Sequence, residues 1–125
     1  MTKDERRIIK AVNKWKKALN LNEWKINIKI EDLPEGGAET DLGQVNYLEA
    51  TITFDSRTSW DDARIDHYVC HEMVHVLMGN LMKHEWDLEQ SMGSAEQSAV
   101  RARWNAVVEQ ITERLARLFE EMYNK

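Results

Sequence analysis

The pattern of residues predicts an α+β fold, a small antiparallel or mixed sheet with helices packed on one of its faces. Two short segments alternate apolar and polar residues with a period of two, and three longer ones repeat apolar residues at helical spacing. Their order is helix, strands, helix, loop, helix, which suits helices laid on one face of a sheet. With 125 residues, 42% of them hydrophobic, residues 1–125 are expected to form a single domain with its own core.

Residues 4–19 form the first expected helix, since Ile8, Val12, Trp15 and Leu19 share a face while Lys10, Lys14 and Lys17 lie elsewhere. Asp4 is its expected cap and Asn20 its end. Residues 24–30 read as a strand: Trp24, Ile26, Ile28 and Ile30 alternate with Lys25, Asn27 and Lys29. Pro34-Glu35-Gly36-Gly37 is loop chemistry. Residues 38–46 suit either a strand or an irregular loop. Residues 47–54 are a second strand, with Leu48, Ala50, Ile52 and Phe54 on its apolar face.

Ser59 followed by Asp62 resembles a capping box, so a helix is expected from about residue 60 to Leu77, with Gly79-Asn80 beyond its end. Residues 83–93 are polar and read as a loop. Ser94 then caps a last helix running to about Met122. Its expected buried stripe is Val100, Trp104, Val107, Ile111, Leu115, Leu118 and Met122.

Composition excludes several classes. A net charge of -5 disfavours nucleic acid as the main partner. No apolar run approaches the roughly 20 residues of a membrane span. The single cysteine, Cys70, allows no intrachain disulfide and suits a reducing compartment. The charged start Met-Thr-Lys-Asp-Glu-Arg-Arg is unlike a signal peptide, so a cytoplasmic location is expected.

The segment that carries chemistry is His71-Glu72-Met73-Val74-His75. Residues four apart lie one above the other on a helix, so two imidazoles there can converge on one zinc ion at about 2.0–2.1 Å each. Glu72 is turned by about 100° from His71, beside a metal and off its axis, where a carboxylate can act as general base towards water.

With this motif the chain resembles the zincin metallopeptidases, in particular a small gluzincin. It is similar to the compact zincin domains of phage and prophage genes, and more loosely to domains of the ImmA/IrrE type. The similarity of layout spans the first helix, Trp24 to Ile30, Tyr47 to Phe54, the motif and a glutamate-bearing last helix. It implies a zincin-like active-site helix, a zinc ion, hydrolysis of peptide bonds in a peptide or protein substrate, and a sheet edge that pairs with extended substrate. Metzincins do not fit, because Met78 and Leu81 stand where their glycine and third histidine belong.

Three protein ligands and one open position make a catalytic zinc site. His71 and His75 supply two. By helical phase Glu96 lies about 60° from the expected buried stripe, whereas Glu109 and Glu113 lie opposite it. Glu96 also follows His75 by 21 residues, close to the gap in thermolysin-like gluzincins. Glu96 is therefore the expected third ligand, with Glu109 next and His84 after it. His67 shares the motif face one turn earlier. Asp62 and Asp66 are potential partners for a ligand histidine's free N–H. Tyr47 and Tyr68 are candidate oxyanion donors. Cys70 reads as a small buried hydrophobe.

These residues describe a zinc-dependent peptidase with Glu72 as base, its substrate added as a strand near Glu49 to Phe54. The alternatives are a zincin-fold binding module that holds zinc without turnover, such as a phage accessory protein, and a metal-free helical interaction protein.

Overall fold

The computed structural model describes residues 2–124. Four helices and three strands follow one another: α1 (Lys3–Ala18), β1 (Lys25–Glu31), β2 (Ala38–Gln44), a 3-10 turn (Val45–Tyr47), β3 (Glu49–Asp55), α2 (Asp62–Leu77), α3 (Gly79–Glu89) and α4 (Ser94–Tyr123). The architecture is α+β, as expected. The sheet is mixed, in the order β1-β3-β2, with β1 parallel and β2 antiparallel to the central β3.

The alternating strands lie as their pattern requires. Ile26, Ile28 and Ile30 of β1 sit opposite Ala50, Ile52 and Phe54 of β3, and the three β3 residues are buried. Against this face pack Ile8, Val12 and Trp15 of α1 and Ile65, Val69, Met73 and Val76 of α2. Residues 38–46, left open by the sequence, supply edge strand β2 and the 3-10 turn. Because β3 is flanked on both sides, its Glu49–Asp55 segment has no free edge for an added strand. The free edge beside α2 belongs to β2.

Several boundaries differ from expectation. Thr2, not Asp4, caps α1, its side chain accepting from the Glu5 N–H at 3.1 Å. Asp61 caps α2 in place of Ser59, accepting from the Arg64 N–H at 2.8 Å. Helix α2 does end at Leu77 as expected, but Gly79 then opens a further helix, α3, and residues read as polar loop are largely helical. Ser94 lies inside α4, whose N-cap is Gly93 with no side-chain bond. Asn20 does end α1, with a φ of 57°.

Side-chain hydrogen bonds tie α1 to α2 and to the turn before it. Arg7 donates to Asp62 at 2.7 Å and to the Trp60 carbonyl at 2.7 Å, and the Trp15 indole N–H donates to Asp66 at 2.8 Å. Asp62 and Asp66 therefore serve packing, and neither is bonded to a histidine of the motif.

The loop before β2 depends on glycine. Gly37 has a φ of 68°, and a Cβ there would lie 2.9 Å from the Tyr68 ring. Gly37→Ala should cost on the order of 1–3 kcal/mol through backbone strain and this contact. The expected result is a melting temperature several degrees below native by circular dichroism; an unchanged value would show that the loop relaxes freely.

Candidate metal centre

Helices α2 and α4 run antiparallel, and their facing residues form a ladder of imidazoles against carboxylates. His67 Nδ1 meets Glu120 at 2.7 Å, His71 Nδ1 meets Glu113 at 2.9 Å, and His75 Nε2 meets Glu109 at 3.0 Å. The histidines recur at i, i+4, i+8 and so share one face of α2.

His71, Glu72 and His75 each offer a ligand atom, all within 4.8 Å of one another. Glu109 completes the set: one carboxylate oxygen is 3.0 Å from His75 Nε2 and the other 3.2 Å from His71 Nε2. Donor atoms on one tetrahedral zinc lie about 3.3 Å apart, given bonds of about 2.0–2.1 Å. The separations of Glu109 from the two Nε2 atoms are therefore those of co-ligands on zinc, and the donor types suit that ion. Glu113, holding the far nitrogen of His71, is placed to fix that ring's tautomer and orientation. The Nδ1 of His75 is buried without a hydrogen-bond partner among the described residues.

Glu96 does not join this group. It lies exposed in the first turn of α4, and His84 is exposed on α3; neither lines the cavity at the motif. Glu109 stands in the expected place of Glu96 because the phase of α4 is rotated by about 100° from the apolar stripe. The buried residues are Val108, Thr112 and Ala116, while Val107, Ile111, Leu118 and Met122 face outward, the last 57% exposed. The inner face of α4 must accommodate a row of histidines, so it carries small residues and acids. A rule equating the buried face with the most apolar face fails there. A signal was present in the sequence: Glu109, Glu113 and Glu120 share the turns that face His75, His71 and His67 in an antiparallel helix pair.

Glu72 is only 4% exposed and sits between α2 and the edge of the sheet. The hydroxyl of Thr40 on β2, a residue the sequence did not single out, donates to its carboxylate at 3.2 Å. Burial pushes the Glu72 carboxyl up to about 8, against the lowering effect of that bond, with Glu109 and Glu39 adding negative charge nearby. Burial also pushes His75 towards its neutral form, the form that ligates metal. The cavity at the motif has a volume of about 630 Å³, and His67, Tyr68, His71, Glu72, His75 and Glu109 are among its walls. Tyr68 thus reaches the site, held by edge-to-face packing on Trp60 at 5.4 Å, whereas Tyr47 is 79% exposed and does not line it. Cys70 is fully buried and its thiol is pushed up to about 12, again by burial, which suits packing and not nucleophilic chemistry.

No protein-family model, curated protein or solved structure matches this chain. No helix among the described residues is long and apolar enough to cross a membrane.

Two predictions follow from this geometry. Glu109→Gln should weaken zinc binding strongly and Glu113→Gln by about 10- to 100-fold, as partners of ligand histidines do, while Glu96→Gln should leave it near native. Competition against a chromophoric chelator reads all three, and a damaging Glu96→Gln with a silent Glu109→Gln would reverse the ligand assignment. The second concerns pH. In chain stripped of metal, the fold holds the Glu72 proton up to about 8 against an ordinary value of 4.5. The stability tied to that proton is full below 4.5 and is lost as pH rises towards 8. Melting temperatures in chelator should therefore fall for native relative to Glu72→Gln between these limits. A constant difference would mean that Glu72 titrates normally.

Proposed function

We propose that the chain is a small zinc metallopeptidase in which His71, His75 and Glu109 hold the ion and Glu72 is the general base. The observation that carries this reading is a buried glutamate next to a donor set of two histidines and a carboxylate, all opening on one cavity. A site serving only stability has no need of a second carboxyl group buried beside its donors at such cost.

A bound zinc ion supplies Lewis acidity, polarising a peptide carbonyl and making a water easier to deprotonate. With a cation held by His71, His75 and Glu109, the Glu72 carboxyl would return towards its ionised form, since a nearby positive charge favours the charged state. Glu72 then accepts the proton of the attacking water and returns it to the leaving amine. Thr40 steadies one carboxylate oxygen of Glu72 through this exchange. Tyr68, whose ring lies between Gly37 and Trp60, is available as a donor to the developing oxyanion. The free edge of β2 is the strand against which an extended peptide would lie. A cytoplasmic location accords with the lone thiol.

Glu72→Gln keeps shape and removes the base. Cleavage of a broad peptide library, read by mass spectrometry, should fall by about 10²- to 10⁴-fold in the variant with zinc content unchanged. Equal cutting by both proteins would remove Glu72 from the role. Native chain with zinc bound that cuts nothing would favour the binding module, a reading that the outward apolar residues of α4 also suit.

A further inference from the structure

A second cavity, of about 790 Å³, opens on the other side of β2. Its floor is the outer face of the sheet, with Lys29 and Glu31 from β1, Thr51 and Thr53 from β3, and Glu39 and Asp41 from β2. Its wall is α3, through Met82, Lys83 and Trp86. The two cavities share Glu39, Thr40, Leu42 and Met82, so they form one cleft wrapped around the edge strand. A peptide lying along β2 at the motif therefore has a side-chain trough within reach.

The charge of the cleft is one-sided. Among the described residues, Glu31, Glu39 and Asp41 form no ion pair, whereas Lys83 is already paired with Asp87 at 2.7 Å. That leaves three carboxylates against the ammonium of Lys29. The cavity at the motif adds Glu109 and Glu113 and has no lysine or arginine in its lining. The wall is apolar and aromatic: Trp86 is 50% exposed, and the Lys83 ammonium rests 5.0 Å from its ring centroid, so this surface already holds a cation. Long basic side chains combine an apolar stem, which Met82, Leu42 and Trp86 can cover, with a charged head that Glu39 and Asp41 can meet.

We infer that the trough between α3 and the outer face of the sheet is a specificity subsite for a lysine or arginine side chain of the peptide held at the motif. This rests on the peptidase reading for what the peptide is there to do, but the subsite can be tested by binding alone. Glu39 and Asp41, on the rim shared with the motif cavity or next to it, are its selecting residues. An acidic side chain is repelled from the same place.

The test uses zinc-loaded Glu72→Gln chain, which binds without cutting, and blocked peptides identical except for one scanned position carrying Lys, Arg, Gln or Glu. Affinity is read by fluorescence polarisation. At one scanned position the basic peptides should bind at least about tenfold more tightly than the Glu peptides, and the preference should shrink as salt rises. Glu39→Lys with Asp41→Lys should invert it, and Trp86→Ala should weaken the basic peptides most, with circular dichroism confirming that each variant is folded. Equal affinities, preference for Glu peptides, a preference indifferent to the double variant, or no peptide binding at millimolar concentration would each overturn the subsite. Cleavage by the native chain is measured alongside: a basic preference in binding without any cleavage removes the peptidase reading and leaves the subsite, while cleavage without a basic preference does the reverse.

Discussion

The structure depends on how α2 is enclosed. One face meets the sheet and α1 through Ile65, Val69, Met73 and Val76, and the opposite face meets α4 through His67, His71 and His75. The first contact is ordinary hydrophobic burial, at roughly 25 cal/mol per Å² removed from water. The second pairs imidazoles with carboxylates, and its net worth in a half-exposed setting is small. The fold is thus anchored on the sheet side of α2 and polar on the α4 side, where exchange of protons or binding of a cation can occur without disrupting the core. Cys70 and Ala116, both fully buried, lie where α4 packs on α2, the Cys70 thiol 3.5 Å from the Ala116 carbonyl.

What was legible in the sequence follows from which elements face the apolar core. The first helix and strands β1 and β3 each bury one regular face, so their period gave them away within two residues. The motif was legible because a spacing of four puts His71 and His75 on one face of α2, where the structure brings them together with Glu72. Strand β2 was not, since Ala38-Glu39-Thr40-Asp41-Leu42 alternates with small and polar residues on the inner side as well, Thr40 being there for Glu72. Helix α3 was hidden because only Gly79 and Glu89 are buried on it. The most apolar stripe of α4 is not its buried one, because the side that meets the histidines is polar, so hydrophobicity alone places Glu96 beside the motif where the structure places Glu109.

That exchange leaves a cost on the surface and one in the interior. Val107, Ile111, Leu118 and Met122 face water along α4, each at least 42% exposed. Glu72 and Glu89 are carboxyl groups held in the interior, 4% and 1% exposed, the latter with one oxygen unpartnered among the described residues and the other 3.3 Å from Arg101. Buried acids are expensive, and chains keep them where specificity or chemistry requires them. At Glu72 the setting supplies a reason, a cavity and a donor set beside it. Glu89 joins the end of α3 to α4, where Gln97 also donates to its carbonyl at 3.1 Å, so its setting is that of a structural tie.

Strand β2 brings these features together. A strand sends successive side chains to opposite faces, so a single edge strand can serve two compartments at once. Thr40 points inward to the carboxylate of Glu72, and its neighbours Glu39 and Asp41 line the outer trough under α3. Residue spacing along the strand, about 3.3 Å, is also the spacing of an extended peptide laid beside it. A peptide in register with β2 would therefore present alternate side chains to the inner and outer cavities as β2 itself does. Its main chain would lie against the free edge and its scissile bond near Glu72. On the peptidase reading, chemistry and selection would be tied to the same backbone, and a shift of register by one residue would misplace both together.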